Sequence, residues 1–398
     1  MGNEWRNCTW GDIVTLEYGK ALRGYEKSGG NYRVYGTNGP IGWHDEALCK
    51  HAGVIVGRKR AYRGIHYAPD PFFVIDTAFY VEPQEKLDPR WCYYALLTCD
   101  INGMDSGSAI PSTSRDSFYA MSVSVPPLNE QFRIAHILGT LDDKIELNRQ
   151  MNETLEAIAR ALFNSWFVDF DPVRAKAEGR DTGLPAHIAD LFPDSFEDSE
   201  LGEIPRGWRV GKLGDVAERI QRAIRPNEID PSTPYIGLEH MPKRSISLSE
   251  WGDADGLESN KTQFNRGEIL FGKLRPYFHK VGVAPVDGVS STDIVVLAPR
   301  SEEWFGFVLG HVSSDAFVDF TNAGSTGTKM PRTSWNQMAH YPVVIPDVLI
   351  ARAFTDQIRP AITRMIESIH ESHILAILRD TLLPGLISGR VRILDAGC

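Results

Sequence analysis

The chain has 398 residues, 42% of them hydrophobic, which is enough for two or more cores. No run of eighteen apolar residues is present, so a membrane span is excluded, and Met1 to Trp10 is too polar for a secretory signal. The net charge of -10 argues against a uniformly basic nucleic-acid binder, yet 7 acidic residues against 1 basic lie in 181–207 alone. The larger segments are therefore near neutral, and any DNA contact would need local basic patches.

The chain opens with Trp5-Arg6 and then Gly11-Asp12-Ile13. The same pattern returns 203 residues later as Trp208-Arg209 and Gly214-Asp215-Val216. The β-branched run Val54-Ile55-Val56, followed by Gly57-Arg58-Lys59, predicts a buried strand leading into a basic turn. Its counterpart 215 residues on is Ile269-Leu270-Phe271, followed by Gly272-Lys273. A second apolar run, Thr77 to Val81, is aligned with Thr292 to Val296 at the same offset. Loops rich in Gly, Ser and Thr follow, Ser106 to Ser114 and Gly324 to Ser334, and after each comes a short strand.

Pro126-Pro127 ends the first short strand because proline offers no N–H, and Asn129 is placed to cap a helix. Ile134, Leu138, Leu141, Ile145, Leu155, Leu162 and Trp166 then recur at alternating spacings of four and three, with gaps filled by Asn148, Asn152 and Ala159, the seam of a long helix that packs on another. Adding 220 lands on Phe354, Ile358, Ala361, Met365, Leu375, Leu382 and Leu386. The polar interruptions Asn148 and Asn152 map onto Ser368 and Ser372, residue types that fix register at a cost in stability. Pro360 is predicted to kink the second helix or delay its start by a turn.

One unit of strands, loop and long helix is thus used twice. The predicted organisation is a first globular domain at 1–125, a long helix at 126–180 and an acidic surface connector at 181–207. A second domain at 208–345 and a second long helix at 346–398 complete it. The fold class is α+β, with two mixed domains joined by two long antiparallel coiled-coil helices in a pseudo-two-fold repeat.

Catalytic signatures are wanting. Gly267 to Leu274 imitates a phosphate-binding loop, but Leu274 stands where a Ser or Thr must hold magnesium, and the intervening residues read as a strand. There is no Asn-Pro-Pro-Tyr or close relative, and no helix-borne His-Glu-x-x-His. Five cysteines without a CxxC pair suit a reducing cytoplasm and argue against zinc. No catalytic residue and no metal ligand is assigned.

The basic residues are the candidates that remain. Arg58, Lys59, Arg60 and Arg63 cluster after the first strand, and Lys273, Arg275 and Tyr277 take the corresponding place in the second half. Arg115, and Lys329 with Arg332, lie in or beside the polar loops, and Arg222 and Arg225 belong to a row that starts at Arg219. Arginine can meet guanine edges bidentately or clamp phosphate, and lysine gives phosphate a point charge.

Four stretches carry a family resemblance: PPLNEQFRIAHILGTLDDKIELNRQMNETLEAIARALFNSWFVDFDPV, GEIPRGW, GEILFGKLRPYF and LLPGLISGRVRI. In these the chain resembles the specificity subunit of type I restriction-modification enzymes over nearly its whole length. The resemblance implies two target-recognition domains, each reading one half of a split, asymmetric double-stranded DNA site. It also implies two antiparallel helices that set the spacing and dock two methyltransferase subunits, with motor-nuclease subunits in the full complex. S-adenosylmethionine, ATP and magnesium would then belong to the partners, and the chain itself would be a non-catalytic cytoplasmic protein. The geometry is compatible: a helix from Glu130 to Trp166 is roughly 55 Å long, against a DNA repeat of about 34–36 Å. The rivals are a self-sufficient DNA methyltransferase or nuclease, and a pure protein scaffold.

Overall fold

The structure, a computed structural model, describes residues 4–25, 29–59, 62–104, 111–325 and 330–393. Two compact units divide the chain: Met1–Ile145 with Ile374–Cys398, and Glu146–His373. Each long helix contributes residues to both units.

In the first unit the strand Arg6–Thr9 pairs antiparallel with Ser122–Val125, and a single 3-10 turn follows at Trp10–Asp12. A four-stranded antiparallel sheet comes next, in the order Val14–Tyr18, Ala78–Pro83, Gly53–Gly57, Ile65–Ala68. Strand residues alternate between faces, and both faces here are covered. Val54, Val56, Phe79 and Val81 look toward Trp10, Trp91, Phe118 and the long-helix residues Ile134, Leu138 and Leu386. Ile55 and Ala78 look the other way, onto Tyr35, Phe72 and Val74 of a second sheet with the order Gly39–His44, Tyr32–Gly36, Phe72–Val74.

The second unit repeats this plan. Arg209–Lys212 pairs with Pro342–Ile345, the 3-10 turn is Leu213–Asp215, and the central sheet runs Ala217–Arg219, Ile294–Pro299, Ile269–Gly272, Val281–Val283. Ile269, Phe271, Val295 and Leu297 face the helices, and Leu270, Ile294 and Val296 face the second sheet. That second sheet has five strands instead of three.

These faces correct the predicted repeat. Val56 pairs with Phe79, and Phe271 pairs with Val295, so Phe79 matches Val295 at an offset of 216 rather than 215. One extra residue lies between the two strands in the second half. Since side chains alternate with period two, an alignment slipped by one would have put every core residue of this strand on the wrong face.

The long helices are Leu128–Phe167 and Val348–Ile387, each of 40 residues, with both ends 220 apart. The first begins at Leu128, so Asn129 lies inside it instead of capping it. The second starts at Val348, in register with the first and without the delay predicted from Pro360. Pro360 is exposed, so water can solvate the carbonyl that its missing N–H leaves unpaired.

Within each unit the helices run antiparallel. In the first, Arg379 Nη1 meets Asp142 Oδ1 at 2.6 Å and Arg392 meets Glu130 at 3.2 Å. In the second, the Trp166 and Phe167 rings lie 5.5 and 5.0 Å from Phe354, and the buried Asn148 Nδ2 donates to Glu371 Oε2 at 2.9 Å and Ser372 Oγ at 3.2 Å. Of the predicted seam, Ile134, Leu138, Trp166, Phe354, Ile358, Met365 and Leu386 are buried, and Leu141, Ile145, Leu155, Leu162, Leu375 and Leu382 half-buried. Asn152 donates to Ser247 Oγ of the second unit's globular part.

The segment 181–207 is more than a surface connector. It forms a short helix, Ala186–Ala189, and a hairpin of Phe196–Ser199 with Gly202–Pro205. Ile188, Phe192 and Ile204 are buried against the core that holds Trp166 and Trp208. Acidic residues cover the outer side, which is why composition alone suggests a tether. Among the described residues, no helix is long and apolar enough to cross a membrane.

Candidate nucleic-acid interface

In each unit a basic turn leaves the central sheet after a glycine. A Cβ on Gly57 would stand 2.7 Å from the Thr37 carbonyl oxygen and 3.0 Å from the Arg63 Cα, so only glycine fits where the strand passes under its neighbour. The Arg58 and Lys59 amides both donate to the Thr77 carbonyl, at 3.0 and 3.3 Å, and the Thr113 amide donates to the Arg58 carbonyl at 2.9 Å. The buried Thr113 Oγ1 donates to the Gly57 carbonyl at 2.7 Å. Lys59 bridges to Ser112, and Ser114 then caps the helix Arg115–Ala120. The polar loop and the basic turn are thereby locked side by side.

This lock brings two predicted residues together. Arg58 and Arg115 each place a guanidinium against the half-exposed Tyr18 ring, at 4.8 and 5.4 Å from its centroid. Arg58 Nη1 also donates to the Asp76 carbonyl at 3.1 Å, and Arg115 Nη2 to the Tyr119 hydroxyl at 2.9 Å, a bond that raises the Arg115 pKa further. Stacked arginines lose little freedom when they engage a ligand. Tyr18 was missed in the sequence. Its one signal is a large aromatic at the exposed end of an alternating strand.

The second unit reuses the lock with other side chains. The Lys273 amide donates to the Asp293 carbonyl at 2.8 Å, the Thr333 amide to the Lys273 carbonyl at 3.0 Å, and the Arg275 amide to the Pro331 carbonyl at 2.7 Å. Leu274 bridges to Arg332, and Ser334 caps the helix Trp335–Ala339. Lys273, Arg332 and Arg219 share one electrostatic environment around Asp293, whose carboxylate lies 3.2 Å from Arg332 Nη2. Burial lowers the Lys273 pKa, Asp293 opposes that, and the two arginines add to it. Burial is the main cause of the shift, and the two arginines are lesser ones.

The remaining candidates divide. Arg63 is corrected: it is 1% exposed, and its Nη2 donates to the carbonyls of Ile101, Asn102 and Met104 at 2.9, 2.9 and 2.8 Å. It pins a loop from inside and faces no ligand. Arg222 is ion-paired to Glu268 and only partly exposed, which takes up much of its charge. Arg225 is exposed just after Ala223–Ile224, an edge strand of the five-stranded sheet. Arg275 has a left-handed backbone with φ of 50°, which turns the chain into Pro276–Phe278 and leaves Tyr277 exposed beside Phe278. Lys243 Nζ sits 4.6 Å over the Phe278 ring and is a further cation that the sequence did not single out. Arg60 and Lys329 lie outside the described residues.

The Gly267–Leu274 stretch contains the strand Ile269–Gly272 and leads into a bridge, not a helix, so the resemblance to a phosphate-binding loop ends there.

Comparison with known proteins agrees with this architecture. The family model described as type I restriction modification DNA specificity domain matches residues 2–157. The chain is 24% identical over 326 residues to the type I restriction enzyme MjaIX specificity subunit of Methanocaldococcus jannaschii, covering 78% of this chain and 71% of that one. It is 23% identical over 376 residues to the HindI specificity subunit of Haemophilus influenzae, covering 80% and 81%. Among solved structures, the type I restriction-modification S subunit from M. genitalium matches with a TM-score of 0.60 at 16% identity, over 99% of this chain and 98% of that one. The matched domain, the two relatives and the duplicated fold together make this chain similar to type I restriction-modification specificity subunits over most of its length.

Proposed function

We propose that the chain is the sequence-specific DNA-recognition subunit of a type I restriction-modification complex. The observation that carries this reading is the repeated lock of basic turn and polar loop. The same backbone device presents Arg58 and Arg115 in one unit, and Lys273 and Arg332 in the other. Each unit reads one half of a bipartite, asymmetric site, and the paired long helices set the half-site spacing and dock two methyltransferase subunits. The chain carries no chemistry of its own. S-adenosylmethionine, ATP and magnesium act on the partner subunits, with motor-nuclease subunits completing the assembly in the cytoplasm.

The test is co-expression with the methyltransferase partner and mapping of methylated adenines across the host genome. The proposal expects two short defined blocks around a fixed gap. A stable complex that yields no motif would overturn it in favour of a scaffold. Inserting four residues into one long helix should lengthen or shorten the gap by a base pair or more, and an unchanged gap would remove the ruler from the proposal.

A further inference from the structure

We propose that Cys49, His51 and Glu82 in the first unit form a binding site for a divalent ion of the zinc class, with one coordination position open to solvent. The three side chains offer ligand atoms that all lie within 4.8 Å of one another. His51 Nε2 is 3.6 Å from Glu82 Oε1, and Cys49 Sγ lies beside the imidazole, 3.6 Å from Nδ1 and 3.7 Å from Nε2. In a tetrahedral zinc site with bonds of about 2.3 Å to sulfur and about 2.0 Å to nitrogen or oxygen, neighbouring ligand atoms stand roughly 3.3–3.5 Å apart. The His51–Glu82 edge of such a polyhedron is therefore already set to within a few tenths of an ångström.

The histidine is held in a ligand-ready form. Its Nδ1 lies 2.9 Å from the Ala52 carbonyl oxygen. That carbonyl can only accept, so Nδ1 carries the proton and Nε2 keeps its lone pair, 3.6 Å from Glu82 Oε1. A backbone carbonyl on the far nitrogen is the usual support of a metal-bound imidazole. The other two ligands stand on fixed backbone. Cys49 exchanges both amide hydrogen bonds with Phe72, each at 3.0 Å, and Glu82 is paired with Thr15 in the central sheet. Cys49 is 3% exposed, whereas the His51 and Glu82 side chains are about half exposed, so an ion could enter from that side.

The donor set decides the ion. Thiolate, imidazole and carboxylate suit zinc or cobalt and not magnesium or calcium, which take oxygen ligands. As the metal–sulfur bond forms, the Cys49 S–H proton passes to water, and the thiolate and carboxylate together balance the two positive charges. The spacing Cys-x-His with a distant Glu has none of the paired-cysteine periodicity by which zinc sites are read from sequence. That explains why the sequence argued against a metal here.

The experiment uses the tag-free full chain, stripped with a chelator and titrated with Co2+, then with Zn2+ in competition. The proposal expects one equivalent of Co2+ to produce a thiolate-to-cobalt charge-transfer band that Zn2+ displaces. Cys49→Ser should abolish the band, and His51→Ala and Glu82→Gln should each weaken Co2+ binding at least about tenfold. Saturating Zn2+ should also raise the Tm of the wild-type chain but not that of Glu82→Gln, an isosteric change at a half-exposed residue. A band that is missing, or that survives in Cys49→Ser and so belongs to another cysteine, would overturn the site. So would a Tm indifferent to zinc.

Discussion

The two units share a backbone lock but dress it differently. In the first, two arginines stack on one exposed tyrosine, and hydroxyls from Thr37 and Thr113 brace the turn through the Thr77 and Gly57 carbonyls. In the second, a lysine and an arginine gather around Asp293. The comparison teaches that the repeated part of the chain is the frame, while the side chains at the turn are free to differ. That is what the proposed reading of two unlike half-sites would require.

The largest effect that would break the comparison is structural. Arg63→Met should leave the carbonyls of Ile101, Asn102 and Met104 without their buried donor and cost the first unit about 3–5 kcal/mol. Denaturant unfolding followed by probes in each unit should show the loss in the first only. Equal losses in both would mean that Arg63 acts beyond its own loop.

The second unit has its own sensitivity. His311 is enclosed by Phe163 and Phe307, and burial pushes its pKa down from 6.5 to about 3. Between those values the unfolded chain binds a proton that the folded one does not. His311 should therefore cost the second unit stability as pH falls from about 6.5 toward 3, at about 1.4 kcal/mol per pH unit. Unfolding at two pH values in this window should show a slope that His311→Leu reduces. The same slope in the variant would contradict the assignment.

Changes at the turns come next in size. Lys273→Ala and Arg332→Ala should each weaken duplex binding by about 1–3 kcal/mol and relax one block of the recognised site, leaving the other intact. The smallest predicted effect is a gain. Asp293→Asn removes the carboxylate that tempers Lys273 and Arg332, so duplex binding should tighten severalfold at low salt, with a steeper salt dependence. Titration against salt checks it, and unchanged binding would show that these cations do not face DNA.

Much of the frame was legible in the sequence because periodicity survives folding. The seam spacing of four and three gave both long helices, and their offset of 220 holds at both ends. What escaped depends on contacts between distant segments. Arg63 stands in a basic cluster that reads as a DNA contact, and the return of residues 101–104 holds it buried. The one-residue slip between Phe79 and Val295 lies in the loops, where no pattern marks an insertion. In 181–207 the acidic residues outweighed Ile188 and Phe192, a single helical pair four apart, and the more distant Ile204. The stacking of Arg58 and Arg115 on Tyr18 joins three segments far apart in the chain, and no local motif encodes it.

The most direct test of the account is to map methylated adenines for the Arg58→Ala/Arg115→Ala chain beside the wild type, each co-expressed with the methyltransferase partner. The account predicts that one block of the motif becomes degenerate while the second block and the gap stay unchanged. Identical motifs, or the loss of both blocks from a complex that still assembles, would contradict it.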